Sequence, residues 1–212
     1  MSVVLAQAGG VVLELATAIN DNRAWLSEID GAIGDGDHGI NMSKGFSQAG
    51  AAIGDAAGGL SEALHTLGDT LLSGIGGSMG PLYGTFFLDM AATISGADVL
   101  DAPLFSKMLH AGLAGIQDLG GAKVGDKTLL DTLVPALEAF DAGVAAGASF
   151  AEALDALSAA AERGRDSTKQ LVAKIGRAAR LGERSRGVLD AGAVSCCLIL
   201  QTLAAGLQKR GA

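Results

Sequence analysis

Asp30, Asp35 and Asp37 fall within eight positions, separated by glycines in the stretch Asp30-Gly31-Ala32-Ile33-Gly34-Asp35-Gly36-Asp37-His38-Gly39. Glycine lets a backbone turn tightly enough for three such carboxylates to converge. Converged carboxylates repel one another, and a hard cation relieves that repulsion. The spacing is not that of an EF-hand, which alternates acidic positions and closes with a glutamate at position twelve. Mg²⁺, held by few carboxylates with waters and phosphates, suits the loop better. The plainer alternative is an Asp/Gly turn with solvated carboxylates. His38 has three candidate roles here: ligating the metal, touching a bound ring, or hydrogen-bonding its own turn.

Three further glycine-rich joints offer related chemistry. Gly74-Ile75-Gly76-Gly77-Ser78-Met79-Gly80-Pro81 precedes an apolar helical pattern. Bare amides and a serine hydroxyl at a helix start bind anions, although an ordinary inter-helix turn has the same composition. Gly120-Gly121-Ala122-Lys123-Val124-Gly125-Asp126-Lys127-Thr128 nearly matches a Walker A loop. Asp126 interrupts it and no strand precedes it, so the P-loop reading is rejected. Asp126 is expected to cap the following helix, and Lys127 reads equally well as a solvated surface lysine. The fourth joint runs from Gly176 to Gly192. Between Arg163 and Arg186 the chain carries eight Lys/Arg and two Asp/Glu, a local +6 against a whole-chain net of −8. Charge segregated in this way suits phosphate capture or an acidic partner, or else a solvated helix end.

Elements that must position these joints follow from composition. The 212 residues are 49% hydrophobic but only 4% aromatic, with 32 glycines and 3 prolines. The core must come from Ala, Leu, Val and Ile, and alanine is the strongest helix former. One domain spanning residues 1–212 is expected. Apolar stripes predict about eight helices. They run along Val4 to Ile19, Ile40 to Gly54, Leu60 to Leu72, onward from Pro81, Pro103 to Leu119, Thr128 to Ala146, Ser149 towards Lys174, and Asp190 to Leu207. The last is apolar nearly all round and should be buried among the others. No convincing strand is present. Short connections favour an all-α antiparallel bundle or closed ring of helices.

An acidic chain of this charge repels nucleic-acid backbones, so no nucleic-acid partner is expected. Cys196 and Cys197 are adjacent in an apolar run, which argues against a disulfide framework. No basic region follows Met1 as in a signal peptide. The apolar run Ala191–Leu200 is too short to span a membrane. A soluble cytoplasmic protein is the expectation.

The stretches "GDGDHGINMSKGF", "GIGGSMGPLYGTFF", "GGAKVGDKTLLDTLVPALEAF" and "GRAARLGERSRGVLDAGA" together resemble the family of nucleotide-binding L subunits of dihydroxyacetone kinases. The resemblance covers essentially the whole chain, with four motifs in the family's order. It implies a barrel of eight antiparallel amphipathic helices with ADP or ATP and two Mg²⁺ ions at one end. Transferred by motif, Asp30, Asp35 and Asp37 are the implied Mg²⁺ ligands. His38, Gly39, Ile40 and Asn41 would line the nucleotide. Ser78 and Met79 would meet the phosphates and adenine region, and Gly120 and Leu129 the adenosine side. Arg177, Asp190 and Gly192 would belong to a lid. No catalytic base is assigned to this chain. The chain departs from the family pattern at Leu129, Ala179, Arg180 and Ala191. The related nucleotide domain of fatty-acid kinases usually carries threonine where His38 stands, which favours the dihydroxyacetone branch.

The resemblance also implies partners. A separate K subunit would hold the ketose, and a phosphotransferase-type M subunit would rephosphorylate bound ADP from phosphoenolpyruvate. Two alternatives stay open: an ATP-exchanging kinase subunit for a related ketose or sugar, and a non-enzymatic regulator that binds a transcription factor. A homodimer is also left open.

Overall fold

The computed structural model describes residues 1–55 and 57–211. Among them lie nine α-helices: α1 (Gly10–Asp21), α2 (Arg23–Ile33), α3 (His38–Ile53), α4 (Leu60–Gly74), α5 (Met79–Ile94), α6 (Ala102–Leu119), α7 (Leu130–Ala145), α8 (Phe150–Ser167) and α9 (Ala191–Arg210). Helix α1 packs on α3, and each helix from α3 to α8 packs on the next. Helix α9 then packs on α8 and closes the circuit against α1. Eight helices therefore form a closed ring, as the sequence suggested. Neighbours alternate in direction. The first residues of α3, α5, α7 and α9 and the last residues of α2 and α6 all line one cavity, which places these termini at the same end of the ring.

Stripe spacing explains the walls. In α6, Phe105, Met108, Leu109, Gly112, Leu113 and Ile116 are the buried face, the same residues whose spacing marked the helix in the sequence. A Cβ on Gly112 would press into the Phe86 ring, so this glycine sets how closely α6 approaches α5. Gly68 does the same between α4 and α5, where a Cβ would lie 2.8 Å from the Gly84 carbonyl oxygen. Pro81 sits in the first turn of α5, where a missing N–H costs nothing. Helix α9 is buried over most of its surface, with only the face of Ala205 and Lys209 exposed. By length and composition its 20 residues could cross a membrane, yet 67% of its most apolar stretch is buried inside the protein. The apolar run thus continues well past Leu200, and its surroundings are the other helices.

Four expectations need correction. The sequence predicts no helix over Arg23–Ile33 (α2) and assigns its last residues, from Asp30, to a glycine loop; Gly31 is tolerated because α2 packs its Leu26, Ile29 and Ile33 face inward. His38 and Gly39 belong to α3 rather than to the loop. The stripe from Val4 overreaches: Val3–Val4 (β1) pairs antiparallel with Val99–Leu100 (β2), a short two-stranded sheet at the end of the ring away from the cavity. The helix from Ser149 stops at Ser167 and passes through a short 3₁₀ turn, Thr168–Gln170, into an irregular segment.

Candidate functional site

A cavity of about 630 Å³ opens at the end of the ring where α3, α5, α7 and α9 begin. Each helix start that lines it carries unpaired N–H groups, a local site for an anion even in an acidic protein. One rim is the acidic turn between α2 and α3. Asp30, Asp35 and Asp37 each offer an oxygen, and all three lie within 4.8 Å of one another. Asp30 is held in place by α2 and accepts from the His38 backbone N–H at 3.3 Å. Burial, and then repulsion from Asp35 and Asp30, raises the Asp37 carboxyl above its ordinary value, while Arg177 opposes this. Across the cavity mouth the Arg177 guanidinium lies 2.9 Å from Asp35 Oδ2 and 3.9 Å from Asp37 Oδ2. A cluster of hard oxygens already drawing one cation is a donor set that fits Mg²⁺.

His38 lines the cavity as expected, and its ring makes a contact that the sequence did not foresee. Its Nε2 lies 2.9 Å from Ser195 Oγ on α9, inside the protein. Ser195 Oγ also lies 2.7 Å from the Tyr83 hydroxyl, which in turn donates to the Gly192 carbonyl at 3.2 Å. Burial lowers the imidazole to about 4, against the pull of Asp30, so His38 is neutral at neutral pH. This buried chain ties the acidic turn to the start of α9.

Asp190 caps α9 by accepting from the Ala193 N–H at 2.8 Å. Burial pushes its carboxyl up to about 7, although that hydrogen bond and the nearby Lys127 charge pull the other way. Ser78 immediately precedes α5, Leu129 precedes α7, and Gly120 ends α6; all three line the cavity with Met79, Asp190, Gly192 and Arg177. The structure therefore gathers Asp30, Asp37, His38, Ser78, Met79, Gly120, Leu129, Arg177, Asp190 and Gly192 around one space, with Asp35 beside its rim. Besides Asp35, three residues expected to line the nucleotide are not among its lining. Gly39 lies where a Cβ would run into the Arg23 carbonyl and Ser27, so it serves the close crossing of α2 and α3. Ile40 faces solvent at 49% exposure. Asn41 follows in the first turn of α3, its N–H donating to the Asp37 carbonyl at 2.9 Å.

Sequence reasoning misjudged two residues next to the cavity. Asp126 does not cap a helix. It accepts from the Lys123 N–H at 2.8 Å and pairs with Lys174 at 3.1 Å, while Asp131 organises the start of α7 by accepting from the Thr128 N–H at 2.7 Å. Lys127 is not a solvated lysine. It is buried, and its ammonium donates to the carbonyls of Thr168, Leu171, Ser185 and Val188 at 2.8, 3.3, 2.7 and 2.6 Å. Its backbone is left-handed, with φ 64°, alone among the described non-glycine residues. The signal available in the sequence was the lysine of the near-Walker stretch, set aside with that motif. Tyr83 and Ser195 sat in apolar stripes and gave no signal.

The model of the DAK2 domain family matches residues 32–205. The chain is 39% identical over 188 residues to the "PEP-dependent dihydroxyacetone kinase 1, ADP-binding subunit DhaL" of Listeria innocua, covering 87% of this chain and 88% of that one. It is 40% identical over 183 residues to the Escherichia coli "PEP-dependent dihydroxyacetone kinase, ADP-binding subunit DhaL", covering 85% and 86%. Its fold superposes with a TM-score of 0.72 on the crystal structure of the dihydroxyacetone kinase from C. freundii in complex with AMP-PNP and Mg²⁺, at 25% identity over 93% of this chain. That match takes in only 33% of the C. freundii chain. Likeness of this extent, running from residue 32 into α9, makes the chain a member of the DAK2 domain family.

Proposed function

We propose that this protein is the nucleotide-binding subunit of a dihydroxyacetone kinase. The observation that carries the reading is the acidic triad facing a ring of helix starts across one cavity. It is supported by relatives of nearly full length whose names specify an ADP-binding subunit, and by the structural likeness to a kinase holding AMP-PNP and Mg²⁺. Asp30, Asp35 and Asp37 would hold the metal, as two Mg²⁺ ions in the full site. The metal supplies charge neutralisation of the phosphates.

The chain's own residues supply the rest. The Ser78 hydroxyl and the start of α5 receive phosphate oxygens. Ile116, Leu119, Leu129 and Met79 form the apolar wall for the adenine. Arg177 is drawn to the acidic rim and reaches phosphate from the outer side. His38, neutral and fixed by Ser195, shapes the inner wall without adding charge, and Gly39, Ile40 and Asn41 hold the first turn of α3 behind it. Asp190 and Gly192 set the start of α9. Phosphoryl transfer asks mainly for positioning and charge stabilisation, and these groups provide both without a protein nucleophile. The ketose would be presented by a separate K subunit. ADP would be rephosphorylated in place by a phosphoenolpyruvate-dependent M subunit, which makes this a cytoplasmic relay.

Calorimetry with ADP tests the core of the reading. Binding is expected with Mg²⁺ and should weaken on adding EDTA. Asp35→Ala should lose the metal-dependent binding while keeping its helical circular dichroism. A protein that binds no adenine nucleotide at any Mg²⁺ concentration is not such a subunit. Adding purified K and M subunits with either phosphoenolpyruvate or ATP then distinguishes the donors. Turnover with ATP alone would replace the relay by simple nucleotide exchange.

A further inference from the structure

We infer that Lys127 is a positioning residue: its buried ammonium is the polar centre on which residues 168–190 fold into the lid over the cavity. The inference rests on the nucleotide-site reading for its consequence, and on geometry alone for its first half.

Residues 169–190 add little to the apolar core, mainly Ala173 with the half-buried Val188 and Leu189. Only Ala173 and Ser185 are buried among them. The segment instead wraps a cation. Lys127 reaches Thr168 and Leu171 at its entry, and Ser185 and Val188 at its exit, from a position 41 to 61 residues earlier in the chain. An ammonium has three N–H groups, so four carbonyls at these distances saturate it: Lys127 lines the cavity with every ammonium donor already engaged. The surrounding bonds close the same knot. Gly187 N–H donates to the Lys169 carbonyl at 2.8 Å, Ala173 N–H to Ser185 Oγ at 2.9 Å, and Asp190 N–H to Thr168 Oγ1 at 3.1 Å. The left-handed backbone at Lys127 is costly for a side-chain-bearing residue and persists only where its surroundings fix it. Asp131 does so, accepting from the N–H groups of Gly125 and Thr128 on either side.

Removing the ammonium leaves four converging carbonyls with no donor, in a segment that has only Ala173, Val188 and Leu189 as apolar anchors. What that segment carries to the cavity is Ile175, Gly176, Arg177 and Ala178 at one end and Asp190 at the other. Lys127 therefore governs nucleotide affinity by ordering the lid. The competing role is the one a P-loop lysine plays, direct contact with phosphate.

Lys127→Met, which keeps length and removes charge, separates the two. Hydrogen exchange followed by mass spectrometry should show amides of residues 168–190 exchanging about tenfold faster or more, with α4 and α5 unchanged. The dissociation constant for ADP with Mg²⁺ should rise by about tenfold or more. In the reconstituted transfer reaction KM for nucleotide should rise while kcat at saturation stays within about twofold, because every group that touches the nucleotide is still present. Weakened binding or a lost kcat with unchanged exchange in 168–190 would mean direct phosphate contact and overturn the inference, as would a variant with neither change.

If Lys127→Met does not fold, the wild-type protein still decides. Amine acetylation read by mass spectrometry should label Lys127 about a hundredfold more slowly than exposed Lys123, and more slowly again with ADP and Mg²⁺. Equal labelling of the two lysines overturns the proposal. Should the wild type bind no nucleotide, the functional reading fails, while exchange and labelling still test the ammonium-centred fold.

Discussion

The ring wall and the 168–190 segment are two solutions to holding a chain in place. The wall is held mainly by apolar contacts. Phe46, Phe86 and Phe87 meet edge to face, Tyr83 stacks on Phe87, and Phe105, Phe140 and Phe150 form a second cluster. The segment from Thr168 to Asp190 is held by directional bonds around one cation, with a single buried apolar side chain, Ala173. Apolar burial is non-directional and tolerates small shifts, whereas a hydrogen-bonded knot is either made or lost. The ring should therefore carry global stability. The segment should open on its own, which suits a lid that must admit and release a ligand.

Four experiments press on that contrast, from the largest effect to the smallest. Phe87→Ala cuts into the wall and should cost about 3–5 kcal/mol in urea unfolding, as large-to-small core changes do. A cost comparable to that of a surface change would mean that the ring is not the stable unit. Ser195→Ala removes the shared partner of His38 and Tyr83 where α9 meets the cavity. Leaving the buried His38 Nε2 unpaired, while Tyr83 keeps the Gly192 carbonyl, should cost about 1–3 kcal/mol by the same measurement.

Asp190→Asn probes the boundary between wall and lid through pH. The carboxyl sits at about 7 in the folded protein, above its ordinary 3.8. The fold then favours the protonated form, so this contribution is complete below about pH 4 and is lost as pH rises to about 7, by at most about 1.4 kcal/mol per unit. Wild-type Tm should fall relative to Asp190→Asn across that window and run parallel above it. A constant difference would place the ionised carboxylate, paired with Lys127, in the fold. Arg177→Ala removes an ion pair in which both side chains are well exposed. Its effect on stability should stay below about 1 kcal/mol, although it should weaken nucleotide binding at the rim. A large loss of Tm would show the lid to be coupled to the wall.

The same contrast explains what could be read from sequence. The eight wall helices were legible because each repeats an apolar residue every three or four positions, as in Phe105 to Ile116. The acidic turn was legible because glycines frame its carboxylates. Helix α2 was missed although Leu26, Ile29 and Ile33 keep helical spacing, because Gly31 and Gly34 outweighed them. The lid was opaque. A polar knot has no periodicity, and the acceptors for Lys127 come from a segment more than forty residues downstream. A buried lysine also runs against the expectation that lysines face water.

The closed circuit has an arithmetic consequence. Helices that alternate in direction around a ring can close only in even number, because an odd one would set two neighbours parallel. The eight wall helices obey this, and α2, the ninth, lies outside the circuit, packed against α3, α9 and the lid's Ala178–Ser185 turn. A single helix can thus be added to this architecture only as a piece across an end, whereas additions to the wall must come in pairs. The parity of the ring leaves α2 free of the wall, and it is α2 that supplies Asp30 to the acidic triad.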